Sequence, residues 1–371
     1  MQRLSIEPRP DWQATVESQG LTYHTVDGEP VWNESACYQF SADEIDQLEA
    51  AANELHRMCL EAVEHVIADD LLGLVGIPGP FQALIKDSWR RKDPSVYGRF
   101  DLLYDGTGAP KLLEYNADTP TALLEAAVVQ WYWMQDRFPK LDQFNSIHER
   151  LIEMWKSLVL SDVVAFTSMD DEEDAMTATY LRDTAHQAGI ATSYLPISEV
   201  GWNPRFRAFM DAADRPMLSC FKLYPWEWLF EDAFGEHLSE ATTRWIEPPW
   251  KAVLSSKAIL PVLWSMFPDS EYLVEASFDP IGGKAVRKPL RSREGANLQF
   301  LSGTHVESQT PGPYGGPYVY QRRIPASPIG DRFPVLGCWI VGSKACGMGV
   351  REDQSPITTN RSAFVPHMFE P

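Results

Sequence analysis

Long apolar runs are missing from this sequence. None reaches 18 residues in a chain of 371, so no segment has the length of a membrane-spanning helix. The N-terminal MQRLSIEPRPDW carries no apolar core of signal-peptide length. Basic residues are also in deficit, 32 Lys and Arg against 52 Asp and Glu, for a formal net charge of −20. That balance argues against the basic surface that a nucleic acid requires and leaves room for a cationic partner. Cysteines are few and scattered: Cys37, Cys59, Cys220, Cys338 and Cys346 are odd in number and form no CxxC pair. They are read as reduced, mostly buried thiols rather than a disulfide frame or a zinc site, and the expectation is a cytoplasmic protein.

Several signatures are absent as well. There is no GxxxxGK[ST] loop, no GxGxxG opening a helix, no HRD or DFG set, no GxSxG and no HExxH. The corresponding P-loop, dinucleotide-binding, protein-kinase, serine-hydrolase and zinc-protease readings therefore lack support. No internal repeat or low-complexity tract appears.

What is present reads as an ordinary globular protein. Hydrophobic residues make up 44% and charged residues 23%, and 13 Trp, 17 Phe and 13 Tyr supply buried area. The length exceeds what one compact core usually holds, so two or three packed lobes are expected. Ser41 with Glu44 is a capping box opening a helix whose apolar row is Ile45, Leu48, Ala52, Leu55, Cys59, Ala62 and Val66. GIPGP at 76–80 is a break. A second helix is expected from Pro120 to about Arg137, with Thr119 as N-cap and Pro120 at the first position. A third covers 145–160. VVAFTS (163–168) followed by a helix closed at Gly189 suggests an α/β lobe. Beyond about 250, a helical WKAVLSSKAILPVLW gives way to short strands and Gly-rich loops, a texture of a small antiparallel sheet.

One stretch poses a question. In YGRFDLLYDGTGAPKLLEYNADTPT (97–121), two strand-like runs flank a hairpin turn, and polar residues alternate within both. Arg99, Asp101 and Leu103 share one face, opposite Phe100, Leu102 and Tyr104. Glu114 and Asn116 share a face with Leu112, opposite Leu113 and Tyr115. Folding the hairpin brings two carboxylates, an amide oxygen and a guanidinium onto one surface. Three hard oxygens suit Mg²⁺ together with nucleotide phosphates, and the arginine would hold a transferring phosphoryl group. A solvated outer face with an Asp–Arg pair explains the alternation equally well. For the phosphates, two isolated lysines remain: Lys251 in EPPWK, and Lys288 on KAVRKPL just before the pliable SREGAN loop. On spacing alone, both also read as ordinary surface lysines.

Taken together, these segments resemble the synthetase part of the glutathionylspermidine synthase family, an ATP-grasp group of acid–amine ligases. The resemblance is carried by YGRFDLLYDGTGAPKLLEYNADTPT, WIEPPWKAVLSSKAILPVLW, VRKPLRSREGAN and GMGVREDQSPIT. It implies an α/β fold with α+β elements, of the glutathione/glutathionylspermidine synthetase ATP-grasp type, with a small antiparallel lid-like lobe. Residues 1–245 would form the substrate-side lobe and 246–371 the nucleotide-binding lobe of one catalytic unit.

The resemblance also implies site residues. Asp101, Glu114 and Asn116 would hold Mg²⁺, and Arg99 would act in phosphoryl transfer. ATP would meet Arg99, Phe100, Asp101, Lys251 and Lys288, the flexible-loop pair Glu294 and Gly295, and the hinge of Gln321, Arg322, Arg323 and Ile324. Arg351 and Pro356, Ile357 and Thr358 would lie close by. Thr119 and Thr121 would approach the acid substrate, where a helix N-terminus favours an anion, and Glu172 and Glu173 of the DDEED run would take a cationic amine such as a polyamine. That run also serves simply to stabilise a helix N-terminus. Bifunctional members carry an N-terminal amidase domain with a Cys–His site, for which this chain has no room; Cys37 and Cys59 lie too near its start. The implied activity is amide formation through an acyl phosphate, from small-molecule carboxylate and amine substrates, with ATP and Mg²⁺. The rivals are a nucleotide-binding sensor or scaffold without catalysis and a phosphotransferase that stops at the acyl phosphate.

Overall fold

The computed structural model describes residues 1–160, 163–359 and 361–371. Tyr97–Leu103 and Lys111–Asn116 pair antiparallel across DGTGAP, as the alternation predicts. They form one side of a five-stranded antiparallel sheet, in the order Ala363–Val365, Lys344–Asp353, Phe333–Val341, Tyr97–Leu103, Lys111–Asn116. The small C-terminal sheet expected from the sequence is therefore divided. The 333–353 hairpin joins this central sheet, while Lys284–Pro289, Gln299–Ser302, His305–Gln309 and Tyr318–Arg322 form a separate antiparallel sheet with Ala276–Ser277. The central sheet thus takes strands from both sides of residue 246.

The apolar row of the capping-box helix buries itself against the central sheet. Ala42–Ala68 opens with both capping-box hydrogen bonds and packs Leu48, Leu55, Cys59 and Ala62 into the main core. The strand–helix unit also forms as expected. Val163–Ser168 lies between the parallel strands Ala191–Pro196 and Ser219–Leu223, with Arg244–Ile246 beyond the latter, and Glu172–Gln187 comes next in the chain, ending before Gly189 at φ +89°. The third helix spans Ile147–Ser157.

Two helices depart from expectation. WKAVLSSKAILPVLW is broken into Pro249–Lys251, Ala252–Ser255 and Ile259–Met266, because a proline inside a helix cannot donate its backbone hydrogen bond and the SSK stretch opens the chain. The helix expected from Pro120 starts only at Leu123, after Ala122 takes φ +61°. Thr119 is not its N-cap. It then runs through a π segment, Glu125–Val129, before Gln130–Arg137. The five cysteines are free and buried, and no described helix is long and apolar enough to cross a membrane.

Candidate active site

A cavity of about 900 Å³ opens between the central sheet, the 284–322 sheet and the start of the helix Glu172–Gln187. The hairpin supplies its floor. Arg99 pairs across the strands with Asn116, and Asp101 with Glu114. A register shift between Asp101 and Leu102 leaves Leu113 unpaired in the ladder. That bulge corrects the expected facing: Leu112 turns into the core, and Leu113 lines the cavity beside Glu114. Phe100, expected at the nucleotide, also faces the core, stacked on Tyr115 at 3.9 Å, and its side chain does not line the cavity.

The charged groups on the floor balance one another. Arg99 Nε donates to Asp101 Oδ1 at 2.7 Å, Nη2 to Oδ2 at 3.3 Å, and Nη1 to the Thr121 carbonyl at 2.6 Å. Arg351 Nη2 reaches Asp101 Oδ2 at 2.9 Å. Asn116 spends Nδ2 on the same oxygen at 3.1 Å, which leaves its Oδ1 as the atom available to a cation. Glu114 faces Lys257 Nζ at 3.0 Å; Lys257 and Lys288 hold its carboxyl well below the usual range although burial opposes them. Burial, with Lys257 beside it, pushes Lys288 down to about 8 against the pull of Glu114. Arg99 stays above its ordinary value despite burial, because Asp101 lies against it. Across the strands, Gly337 opposes Asp101, and a Cβ there would meet Arg99 Cδ at 2.8 Å, so the guanidinium stem lies flat only over a glycine.

Lysine assignment is the main correction. Lys251, expected at the phosphates, is 1% exposed and does not line the cavity. Its Nζ donates to the Tyr97 carbonyl at 2.6 Å and Ser95 Oγ at 2.8 Å and pairs with Glu247, whose Oε1 accepts from the amides of Val96 and Tyr97. The cluster fastens the start of the floor strand from below. The lysine of this segment that faces the cavity is Lys257. The sequence held a signal for it: Lys251 is wedged between Trp250 and AVL, whereas Lys257 sits at the SSK break. Lys251→Met is accordingly expected to cost about 3–5 kcal/mol, as for one partner of a buried pair. The denaturant midpoint measures it, and an unchanged midpoint would refute this structural role.

The other expected residues divide plainly. Lys288, Glu294, Gly295, Gln321, Arg323, Ile324, Arg351, Pro356, Ile357 and Thr358 all line the cavity, as do Thr119, Thr121, Glu172 and Glu173. Arg322 does not. It alternates outward to Glu275, at 2.6 and 2.9 Å. Gln321 donates to the Leu112 carbonyl at 2.9 Å, joining the two sheets. Among the lining residues that were missed are Lys257, Glu125 and Arg293. Arg293 crosses from the 292–297 loop to Thr119 Oγ1 at 2.8 Å and Glu227 Oε1 at 3.0 Å, its guanidinium over Trp228. In the same loop Gly295 takes φ +66°, and a Cβ on it would meet the Thr358 carbonyl at 2.7 Å.

The opposite end of the cavity is acidic. Asp171 caps the helix by accepting from the Asp174 amide at 3.0 Å, so part of the DDEED run has the helix-stabilising role. The rest crowds like charges together, relieved only in part by Arg293. Burial and then neighbouring Asp171 and Glu173 push Asp174 up to about 7, and burial followed by Glu173 raises Glu294.

Residues 3–370 match the family described as glutathionylspermidine synthase preATP-grasp. The chain belongs to this family. A candidate acid–amine ligase of Haemophilus influenzae is 39% identical, with 100% of each chain covered. Trypanothione synthetase of Crithidia fasciculata and the bifunctional glutathionylspermidine synthetase/amidase of Escherichia coli are each 27% identical, over 85% and 89% of this chain. This chain spans 54% and 58% of the lengths of those two proteins. All three names describe ligases joining carbon to nitrogen, and the chain is an enzyme of this ATP-grasp-type, mixed α/β ligase family.

Proposed function

We propose that the chain joins a small-molecule carboxylate to an amine, using ATP and Mg²⁺ and passing through an acyl phosphate. One observation carries the reading: a single cavity has two carboxylates and an amide oxygen among four cations at one end, and crowded, only partly compensated acid at the other. The donor set fits magnesium. Asp101, Glu114 and the free Asn116 Oδ1 are hard oxygens brought together by strand register, and the described residues contain no cluster of three or more His, Cys, Asp or Glu that could hold a metal unaided. An ion here would thus complete its shell with phosphate oxygens. When bound, it would supply positive charge that draws electrons from the transferring phosphoryl group.

The chain's own groups do the remainder. Lys288 and Lys257 hold nucleotide phosphates as point charges. A guanidinium has five N–H donors, and three of those on Arg99 are taken, which leaves two for the phosphoryl oxygens. The substrate carboxylate attacks the γ-phosphate to give ADP and an acyl phosphate, and an amine then displaces phosphate. Activation is necessary because a free carboxylate is a poor electrophile. Glu172, Glu173 and Asp174 face the end where a cationic amine, of polyamine type, relieves the field. Free, buried thiols accord with a cytoplasmic site of action.

The test is ADP release over a panel of acids and amines, with mass detection of the conjugate. Turnover that needs both partners and yields the amide supports the ligase. ADP release with acid alone favours the phosphotransferase, and binding without turnover favours the sensor. The 290–300 segment is expected to act as a lid. Its amide hydrogen exchange should slow several-fold on adding an ATP analogue and Mg²⁺, and equal exchange with binding confirmed independently would rule that out.

A further inference from the structure

The cavity wall holds a carboxyl that phosphoryl transfer does not use. Glu125 is 3% exposed and sits at the first position of the π segment. Among the described carboxyls lining the cavity, only Glu125 has a buried oxygen, Oε2, without a hydrogen-bond partner. Leaving an acceptor buried and unpaired is unfavourable, so the position is not explained by stability. The backbone arrangement is specific too. A π turn inserts one residue, which rotates the helix before it by roughly 100° against the helix after it. This offsets Glu125 from the core-facing Val129 and Trp133.

The strongest charges acting on Glu125 come from three elements: Glu173 at the start of the helix Glu172–Gln187, Arg99 on the floor strand, and Arg351 on Lys344–Asp353. It lines the cavity that the cationic and acidic ends share, in which acyl carbon and amine must meet. Burial, opposed by its own backbone amide and the two arginines and reinforced by Glu173, raises it to about 7, the range in which a carboxyl both takes and returns protons near neutrality.

We propose that Glu125 is the base of the amide-forming step, accepting the proton that the amine nitrogen sheds as it attacks the acyl carbon. The proposal rests on the ligase reading above. The nitrogen lone pair forms the C–N bond, and the C–O bond to phosphate breaks, its electron pair leaving with the phosphate. One N–H proton passes to the Glu125 carboxylate and from there to the departing phosphate. Amide and hydrogen phosphate result, and Glu125 is again ionised. An amine that arrives as an ammonium loses one further proton to solvent before attack.

The test competes two nucleophiles. Hydroxylamine, uncharged near neutrality and strongly nucleophilic, captures an acyl phosphate with little need of a protein base. With ATP, Mg²⁺ and the acid and amine found in the panel, Glu125→Gln is expected to lower the ratio of amide to hydroxamate by about 10²-fold or more. In the parent that ratio should rise with pH through a limb near 7, and the limb should be lost in the variant. Infrared difference spectra of parent against variant should show a protonated carboxyl titrating in the same range; Asp174, present in both, cancels. A merely structural Glu125 lowers both products alike, and an unchanged ratio overturns the proposal. Should Glu125→Gln not fold, the parent decides, since a ratio flat across pH 6–8 overturns it equally. A parent that conjugates no acid to any amine sinks the ligase reading, and this inference with it, whereas a working parent with an unchanged variant ratio sinks this inference alone.

Discussion

Glu114→Ala and Asp101→Ala are expected to lower Mg²⁺-dependent ATP turnover by about 1,000-fold or more, and added Mg²⁺ should not restore it. The magnitude reflects the removal of one of two carboxylates in a set whose third oxygen is a neutral amide. A cation held by the remainder has lost half of its anionic ligands. The lysine and arginine partners add to the loss. Without Glu114, Lys257 and Lys288 face each other without the carboxylate that compensates both. Without Asp101, Arg99 and Arg351 lose the group they share. Glu114→Ala is the cleaner probe, since Asp101 is 3% exposed and its removal would take from both guanidiniums the carboxylate they share. Circular dichroism controls for folding. ADP release within tenfold of the parent in a folded variant would refute the metal assignment.

How much of this was legible in the sequence depends on whether the determinant is local. The hairpin faces were, because a period of two is a property of neighbouring residues; Arg99, Asp101, Glu114 and Asn116 all point where alternation puts them. The bulge was not. Nothing in KLLEYN says that Leu113 rather than Leu112 leaves the ladder, since that choice is settled by the core that takes Leu112 beside Phe100. The capping box needed only Ser41 and Glu44, and it formed. Pro120, an equally good local start signal, was overridden at Ala122, where the chain turns to give its Thr121 carbonyl to Arg99. Membership of the 333–353 hairpin in the floor sheet pairs residues more than 200 positions apart, and no local pattern encodes such a pairing. The lysine error is partly of this kind. The SSK break marked Lys257 locally, but a buried Lys251 is stable only because Glu247 and the Tyr97 carbonyl await it, and the sequence does not display that pairing.

Binding and chemistry should separate between Lys288 and Arg99. Lys288 is a point charge on the strand beside the lid, its Nζ held 2.9 Å from the Leu113 carbonyl. On the proposed ligase reading, it would meet nucleotide phosphates in ground state and transition state alike. An interaction made in both states, when lost, raises KM and leaves kcat; one made only in the transition state lowers kcat. Lys288→Met is therefore expected to raise the KM for ATP by about tenfold or more with a modest change in turnover. Arg99 differs because its fork is locked before substrate arrives, by Asp101, the Thr121 carbonyl and the face of Trp339 at 5.6 Å. Its two uncommitted N–H groups are thereby fixed in place, and on the proposed reading they would meet charge that appears only as the phosphoryl group moves. Arg99→Lys keeps the positive charge but loses the planar fork. It should leave the KM for ATP within about threefold and lower kcat by about 10²–10³, the scale of deleting one preorganised donor to a developing oxyanion. Single-turnover measurements of ADP formation and conjugate yield would separate the two variants. If Arg99→Lys formed conjugate at the parent rate, Arg99 would be only the partner that holds Asp101 in place, and the floor of the cavity would be a metal site without a catalytic arginine.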